Sequence, residues 1–406
     1  MVFDDKYKSF SLDEYQLHNR KLQTEMRKLG VDMLLLSTPE NIYYSTGYRS
    51  WYTSSLFRPV YVLVPSEGNP AIILRILEKT TVQFTSWTPH IYCWGTESRK
   101  LGRLDISDPL DGVRKVIHDL APATKSIGLE LGDGLNYAWS LNLLKEIVNG
   151  VPEVRFMDGT QAIQRARMVK TPWEVDRITH VSKITEQAIL EAGREIRAGI
   201  TTELDISKGI ASRMTQMGVD KFSYLTVTSG DEKYKTFNTY ATDRVVQKGD
   251  FVLVDISGHI DGYASDLTRV FSLGKAPDYE RQLAELASLS VRVGKEVMRP
   301  GVLVSEVNQV CEDVIRNSKF SPFVIHSSGH SIGLSVVEFP VIGSDNHIAL
   351  EPGMVFALEQ GVYPYHLDQG VESIYRSFRM EDQVLITETG SEWLTGPGDP
   401  LIELDA

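Results

Sequence analysis

The chain has 406 residues and a formal net charge of −12, with 42% hydrophobic and 24% charged residues. Its length is typical of two domains, and its acidic balance argues against nucleic acid or an anionic membrane as the main partner. Only two cysteines occur, and no apolar run approaches the length of a membrane span. Because the N-terminus is polar and acidic, unlike a secretory signal, we expect a cytoplasmic protein.

The first 160 residues alternate helical and strand patterns, which is typical of an α/β domain. The helical patterns cover 11–29, 39–47, 108–120 and 137–148. Apolar runs predict strands at 31–36, 58–65, 70–77, 126–131 and 153–157.

The remaining residues, 161–406, have helices followed by a run of strands, which predicts an α+β domain. A long helical region at 160–196 is broken or bent near Pro172, and we place the domain connection at 165–174. Further helices are predicted at 203–217, 279–298 and 304–318. Strands are predicted at 222–228, within 325–337, and at 354–363 and 373–387.

The segment 250–271 has the pattern of a β-hairpin with a turn signal at Asp261-Gly262. A four-residue loop at 259–262 would place Asp255 directly opposite Asp266, with Cβ atoms about 5 Å apart. Two carboxylates at that distance repel each other unless a proton or a cation lies between them. This segment alone is equally compatible with two surface aspartates or with a divalent-metal site.

Three later segments favour the metal site. His326 and His330 lie in HSSGHSIGL, and Glu359 ends an apolar run in which an unpaired buried carboxylate would be costly. Arg379 and Glu381 are two residues apart, so they share one face of a strand. Together with the two aspartates, these segments supply four carboxylates and one imidazole, enough for a two-metal centre.

These motifs resemble those of the creatinase, prolidase and aminopeptidase P superfamily of pita-bread metallohydrolases. A strand aspartate is followed eleven positions later by Asp-Leu-Thr-Arg, and then by Gly-His-Ser-Ile-Gly-Leu, Glu-Pro-Gly-Met-Val-Phe-x-x-Glu and Arg-x-Glu-Asp. The resemblance implies a creatinase-like N-terminal domain at 1–160, a pita-bread catalytic domain at 161–406, and a homodimer. It also implies a set of metal ligands: Asp255, Asp266, His330, Glu359 and Glu381.

The resemblance further implies two divalent ions that share a water molecule or hydroxide. Manganese suits a set of one histidine and four carboxylates, and zinc, cobalt or iron are the alternatives. Glu359, a ligand, or its water partner would then carry the proton, while His326 and Arg379 would complete the catalytic machinery by positioning substrate or ligands.

Two positions depart from the peptidases of this superfamily, which carry histidines where this chain has Asn238 and Val337. Asparagine does not titrate, and a valine side chain forms no hydrogen bonds. The pattern is similar to the non-peptidase branches, which include creatinase, ectoine hydrolases and dimethylsulfoniopropionate lyases. Several of these enzymes act on small zwitterions.

A candidate substrate residue lies in Leu56-Phe57-Arg58-Pro59, a segment similar to one in creatinase. There the arginine reaches the active site of the partner subunit and holds a substrate carboxylate, a task that suits its bidentate fork. Asn238 and Glu338 are the other predicted substrate-binding residues, although Glu338 is equally a structural glutamate.

We therefore expect a homodimeric metal-dependent hydrolase that cleaves an amide or other C–N bond in a small, carboxylate-bearing substrate. An Xaa-Pro dipeptidase or aminopeptidase is the first alternative, with His347 or His366 replacing the missing histidines. A metal-dependent lyase and a non-catalytic binding module are the others.

Overall fold

The computed structural model describes residues 9–55, 57–95, 105–132, 140–230, 238–363 and 376–405. The chain divides into two compact units, Met1–Arg167 and Met168–Ala406. The division falls inside the segment 165–174, where the sequence places the domain connection.

The first unit is built on a six-stranded mixed sheet with the strand order β4-β3-β2-β1-β5-β6. The pairs β1–β5, β5–β6 and β3–β4 are parallel, and β1–β2 and β2–β3 are antiparallel. The strands are β1 (Met33–Leu36), β2 (Tyr61–Pro65), β3 (Ala71–Arg75), β4 (His90–Trp94), β5 (Ser126–Leu129) and β6 (Arg155–Asp158). The helices are α1 (Leu12–Leu29), α2 (Pro39–Thr46), α3 (Lys79–Thr85), α4 (Pro109–Leu120), α5 (Leu141–Gly150) and α6 (Thr160–Met168).

The α/β class predicted for this unit is confirmed. The helix α1 begins where the Ser11 hydroxyl accepts a hydrogen bond from Glu14 N, and it ends at Gly30 in the left-handed conformation. Strand β4 and helix α3 were not predicted, because both are short and lack a clear apolar period. Residues 137–139 of the predicted helix at 137–148 lie outside the described residues.

The second unit contains a ten-stranded sheet flanked by two pairs of helices, in agreement with the predicted α+β class. The helices are α7 (Pro172–Gly193), α8 (Glu203–Gln216), α9 (Asp278–Val297) and α10 (Val304–Arg316). The longer strands are β7 (Lys221–Ser229), β8 (Phe251–Ile260), β10 (Leu267–Leu273), β13 (Val355–Val362) and β14 (Phe378–Ile386). The shorter strands are β9 (Tyr263–Ala264), β11 (Gly329–Ser331), β12 (Glu338–Val341), β15 (Ser391–Trp393) and β16 (Ile402–Leu404).

The main path of this sheet is β12-β11-β13-β14-β10-β8-β7, with antiparallel pairing throughout. Helices α7 and α8 pack together beside β8, and α9 and α10 pack together beside β13 and β14. Two separate apolar cores result, one containing Ile189 and Val254 and the other containing Val291 and Phe356. The strands between them carry the polar residues described in the next subsection.

The predicted break near Pro172 is confirmed, because α6 and α7 are two helices. The Thr171 hydroxyl accepts a hydrogen bond from Glu174 N, and the Glu174 carboxylate accepts one from Thr171 N. This capping box, with proline in the first turn, starts α7 as a new helix.

The predicted register of the hairpin is wrong by two residues. Strand β8 pairs with β9 so that Ile260 lies opposite Tyr263, which leaves a two-residue loop of Asp261 and Gly262. Both loop residues have positive φ, 51° and 84°. Such a loop matches the right-handed twist of the flanking strands. As a result Asp255 lies opposite Thr268, and it is not the direct partner of Asp266.

Among the described residues, no helix combines the length and the apolar character that crossing a bilayer requires.

Candidate metal centre

Side-chain alternation along the central strands of the second unit separates an apolar face from a polar one. Val254 belongs to one apolar core while Asp255 next to it faces the opposite side, and Leu358 and Glu359 are divided in the same way. The polar side chains line a cavity of about 420 Å³. Six of them carry the predicted chemistry: Asp255, Asp266, His330, Glu359, Arg379 and Glu381.

Three of the predicted ligands form the tightest part of this cavity. Ligand atoms of Asp266, His330 and Glu381 all lie within 4.8 Å of one another. His330 Nε2 is 3.6 Å from Asp266 Oδ2 and 3.9 Å from Glu359 Oε1. Asp266, His330 and Glu381 are all buried, although they come from three separate segments of the chain. This spacing suits donor atoms that share one small cation.

The remaining two predicted ligands are linked by Arg379. Its guanidinium donates a hydrogen bond to Asp255 Oδ2, and its Nε lies 3.9 Å from Glu359 Oε2. Glu359 and Glu381 are directly opposed on β13 and β14. All five predicted ligands therefore face one cavity, with Arg379 beside them.

The electrostatics of this cluster are unfavourable for the protein alone. Burial, followed by the negative charges of Glu381 and Glu359, raises the pKa of Asp266 well above its usual range. Burial and the charge of Glu381 likewise raise the pKa of Glu359. Burial lowers the pKa of His330, so its imidazole is neutral and able to ligate.

The residues present fit a divalent-metal centre. Asp255 Oδ1 is buried and has no hydrogen-bond partner among the described residues, which is costly unless a cation meets it. His330 Nδ1 donates to the carbonyl of Ser331, 3.1 Å away, so its Nε2 lone pair faces the carboxylates. Four carboxylates and one imidazole are the donors that hard divalent ions prefer.

Comparison with known families decides the assignment. The family model described as metallopeptidase family M24 matches residues 176–388, and that of the creatinase/prolidase N-terminal domain matches residues 19–169. The chain belongs to metallopeptidase family M24. It is a metal-dependent hydrolase of that family, and its donor set fits a dinuclear centre.

The relatives of this M24 chain include prolidases. It is 26% identical to an Xaa-Pro dipeptidase of Pyrococcus furiosus over 92% of this chain and 96% of that protein. An Xaa-Pro dipeptidase of Lactobacillus helveticus is 27% identical over 92% and 95% of the two chains. The crystal structure of a dipeptidase, PepE, from Mycobacterium ulcerans shares the fold with a TM-score of 0.80 at 24% identity, covering 98% of this chain and all of that one.

A close backbone approach supports the ligand His330 in this M24 chain. Gly329 has a φ of 124°, and a Cβ there would lie 2.1 Å from the carbonyl oxygen of Ala357. Only glycine allows strand β11 to pack so tightly against β13. The glycine that precedes His330 in the predicted motif is therefore required for steric reasons.

Glu338 has structural contacts. Its carboxylate lies 3.5 Å from Lys170 Nζ and accepts a hydrogen bond of 3.0 Å from Ser335 N. Lys170 Nζ also donates to Ser331 Oγ at 2.8 Å. Both charged side chains are almost fully buried, and Glu338 is not among the residues that line the cavity. These contacts favour the structural role over the predicted substrate-binding role.

The two positions that depart from the peptidase pattern lie at the cavity. Asn238 and Val337 both line it, and Val337 is 57% exposed. Of the two predicted substitute histidines, His347 is exposed and does not line the cavity, and His366 lies outside the described residues. Among the described lining residues, His330 is the only imidazole.

His326 and Arg58, the remaining predicted site residues, both have defined contacts. His326 Nδ1 donates to the Ser327 carbonyl at 2.6 Å, and its Nε2 accepts from the Tyr363 hydroxyl at 2.8 Å. Burial lowers the pKa of His326, so it is a neutral group beside the centre. In the first unit, the Arg58 guanidinium lies 5.4 Å from the ring centroid of Trp51.

Some residues at the site could not be predicted from the sequence, because their contacts depend on which strands are neighbours. Tyr224 on β7 donates a hydrogen bond to Asp266 Oδ1, and Thr268 on β10 donates one of 2.7 Å to Glu381. Tyr240, which is 89% exposed, and Val336 also line the cavity. Thr268 is part of the quoted Asp-Leu-Thr-Arg motif, which is the only signal in the sequence that singles it out.

Proposed function

We propose that this chain is a metal-dependent hydrolase that cleaves an amide or other C–N bond in a small substrate with a carboxylate group. One observation carries the proposal. The five donor residues converge in a cavity of about 420 Å³, while Asn238 and Val337 line that cavity in place of histidines. The cavity has the size of a small molecule, and its described lining residues do not include the two histidines that resemblance assigns to peptide handling.

The centre would hold two divalent ions, manganese by preference, through Asp255, Asp266, His330, Glu359 and Glu381. When bound, such ions supply a water molecule of lowered pKa and polarise the carbonyl of the substrate. Divalent metals are the cofactors of the family, and the donor chemistry supports the choice of a hard first-row ion.

The protein groups then divide the remaining work. The Glu359 side chain is 18% exposed, whereas the other three carboxylates of the cavity are buried. Glu359 is therefore the carboxylate best placed to pass a proton to the departing nitrogen. Arg379 uses Nε and one terminal nitrogen in its contacts with Thr268 and Asp255. Its other N–H groups would hold the substrate carboxylate. His326, whose two ring nitrogens bond the Ser327 carbonyl and the Tyr363 hydroxyl, would hold these groups in place beside the centre.

An Xaa-Pro dipeptidase is the second candidate, because relatives that cover over nine-tenths of this chain carry that name. An Xaa-Pro dipeptide is also a small zwitterion with an amide bond. The two candidates therefore share the metal chemistry and differ in the groups around the scissile nitrogen.

The test is a substrate panel with the manganese-loaded protein. It contains an Xaa-Pro dipeptide, a dipeptide without proline, an N-acyl amino acid and an N-carbamoyl amino acid, and products are identified by mass spectrometry in ¹⁸O-labelled water. We expect turnover of a non-peptide amide with one labelled oxygen, and its loss in Asp255→Asn. Turnover confined to dipeptides would establish the second candidate instead. An alkene product would make the chain a lyase. If the protein neither binds metal nor turns over any compound of the panel, the chain would be a non-catalytic binding module.

The proposed assembly is a homodimer in which Arg58 reaches the partner's site and holds the carboxylate of the substrate together with the partner's Arg379. The exposed aromatic side chains of Trp51 and Phe57 beside Arg58 support a contact surface in this region. We expect a mass of two chains by light scattering, and a raised KM in Arg58→Ala. A monomer with wild-type kinetics in that variant would overturn the assembly.

A cytoplasmic location is part of the proposal, supported by two buried cysteines that form no disulfide.

A further inference from the structure

Thr268 occupies the middle of the row of predicted ligands. Strand β10 lies between β8 and β14, and Thr268 is the cross-strand partner of Asp255 on one side and of Glu381 on the other. Asp266 lies two residues before it, so both side chains leave the chain on the same face. Thr268 is fully buried, and no other described residue of β10 is paired with a predicted ligand on both neighbouring strands.

The hydroxyl of Thr268 has one donor and uses it on a predicted ligand. Oγ1 donates to Glu381 Oε2 at 2.7 Å, and it accepts a hydrogen bond from Arg379 Nε at 3.2 Å. A hydroxyl has one hydrogen to donate and lone pairs to accept with, so it can form both bonds at the same time. One side chain thereby links a predicted metal ligand to the predicted substrate arginine.

The backbone around Thr268 is also fixed by hydrogen bonds. Arg269 NH1 donates to the carbonyl of Thr268 at 3.0 Å and to that of Glu381 at 2.9 Å. Threonine also has a restricted χ1, because it is branched at Cβ. The hydroxyl is therefore presented to Glu381 from a fixed position, and a bond of this kind limits the rotation of a ligand carboxylate.

We propose that Thr268 is a positioning residue that sets the Glu381 carboxylate and the Arg379 guanidinium relative to each other. The inference rests on the proposed metal-dependent function, and it couples metal binding to substrate binding through one hydroxyl. Removing the hydroxyl weakens the binding of metal and frees Arg379 to rotate away from the substrate carboxylate.

The experiment compares Thr268→Val, which keeps the shape and removes the hydroxyl, with Thr268→Ser, which keeps the hydroxyl. Thr228→Val is the matched control, because Thr228 is a buried strand threonine whose cross-strand partner on β8 is Leu253 and not a predicted ligand. Cobalt(II) binding is measured by calorimetry and by the visible d–d spectrum, which require no substrate. We expect an affinity about 10-fold to 100-fold lower in Thr268→Val with an altered spectrum, and near wild-type behaviour in Thr268→Ser and Thr228→Val.

Two results would overturn the inference. One is an unchanged cobalt affinity and spectrum in Thr268→Val, and the other is an equal loss in Thr268→Ser, which would make the methyl group the cause. If Thr268→Val does not fold, Thr268→Ser and Thr268→Ala provide the same comparison, since they differ only in the hydroxyl. Failure of the wild-type protein to bind cobalt would instead refute the metal-dependent function itself. Once a substrate is known, a KM that rises more in Thr268→Val than in Thr268→Ser shows the link to Arg379.

Discussion

Glu359 and Glu381 lie directly opposite each other on β13 and β14, with both carboxylates on the polar face of the sheet. Cross-strand neighbours of like charge destabilise a sheet, and the effect is larger when the pair is shielded from water. The same arrangement is what a pair of cations requires. The two candidate ligands therefore lower the stability of the metal-free protein.

The first prediction concerns this opposition. We expect Glu359→Gln to stabilise the chelator-treated protein by about 1–3 kcal/mol, because the buried Glu359 carboxyl beside Glu381 must either carry a costly charge or take up a proton, and the amide does neither. The wild-type protein gains stability when manganese is added, whereas Glu359→Gln gains less. Urea unfolding with and without manganese measures both effects. An exposed glutamate replaced in the same way, Glu351→Gln, is the control. A less stable metal-free Glu359→Gln would contradict the prediction.

The second prediction concerns the two-residue turn of the hairpin. Gly262 has a φ of 84°, so we expect Gly262→Ala to reduce the free energy of unfolding by about 1–2 kcal/mol. Asp261→Asn is expected to have little effect, because asparagine also tolerates positive φ. Gly390→Ala is the control, since φ at Gly390 is outside the left-handed region and a Cβ there meets nothing within 4 Å. Equal losses in Gly262→Ala and Gly390→Ala would show that the turn conformation is not the cause.

This turn also shows where the sequence was insufficient. The Asp-Gly signal located the hairpin, but the length of the loop decides which residues face each other. A two-residue loop requires positive φ at both positions, and Asp-Gly is one of the dipeptides that favour it. The error came from placing this dipeptide at the end of a four-residue loop; as the whole loop, it gives the observed pairing of Asp255 with Thr268.

The candidate ligands were easier to identify than their neighbours. Each of the five lies in a segment whose residue types are specific, so the sequence singled them out before their distances were known. The contacts of Tyr224 with Asp266 and of Thr268 with Glu381 join different strands. Such contacts depend on lateral strand order, which the residue pattern of each strand does not determine.

The third prediction concerns pH and the first unit. Burial acts to raise the pKa of Asp32. Its carboxylate, however, accepts hydrogen bonds of 2.9 Å from Lys125 N and Ser126 N and one from the Ser126 hydroxyl, and together these bonds lower the pKa below 3.8. Because the folded-state pKa is the lower one, the carboxylate stabilises the protein above pH about 4 and loses this effect as the pH falls through the folded-state pKa. We expect Asp32→Asn to cost about 1 kcal/mol at pH 7, and this cost should disappear as the pH falls through the folded-state pKa.

Hydrogen exchange of the amides of β1 and β5 at several pH values measures this effect in the first unit. The exposed Asp399→Asn is the control and should show no such pH dependence. A loss in Asp32→Asn that stays constant from pH 7 to pH 3 would mean that the shape of the side chain, and not its charge, stabilises the strand pair.

The last prediction compares a buried and an exposed ion pair. Arg269 is almost fully buried, and its NH2 donates to Asp382 and to Glu186, each at 2.7 Å. Burial acts to lower the pKa of Arg269, but the charges of Asp382 and Glu186 raise it above its ordinary value, so the guanidinium stays ionised. Arg269→Met leaves the Asp382 carboxylate buried without its partner. We expect it to reduce the free energy of unfolding by about 3–5 kcal/mol.

The matched control is the pair of Arg281 and Glu403, whose side chains are 35% and 36% exposed. Arg281→Met should cost at most about 1 kcal/mol, because water screens an exposed pair. The double variant Arg269→Met with Asp382→Leu should recover part of the loss, since it removes the unpaired charge together with its former partner. Urea unfolding of the four proteins measures these differences. If the double variant is no more stable than Arg269→Met, the loss comes from the hydrogen bonds that Arg269 donates to the carbonyls of Thr268 and Glu381, and its role is to hold β10 against β14.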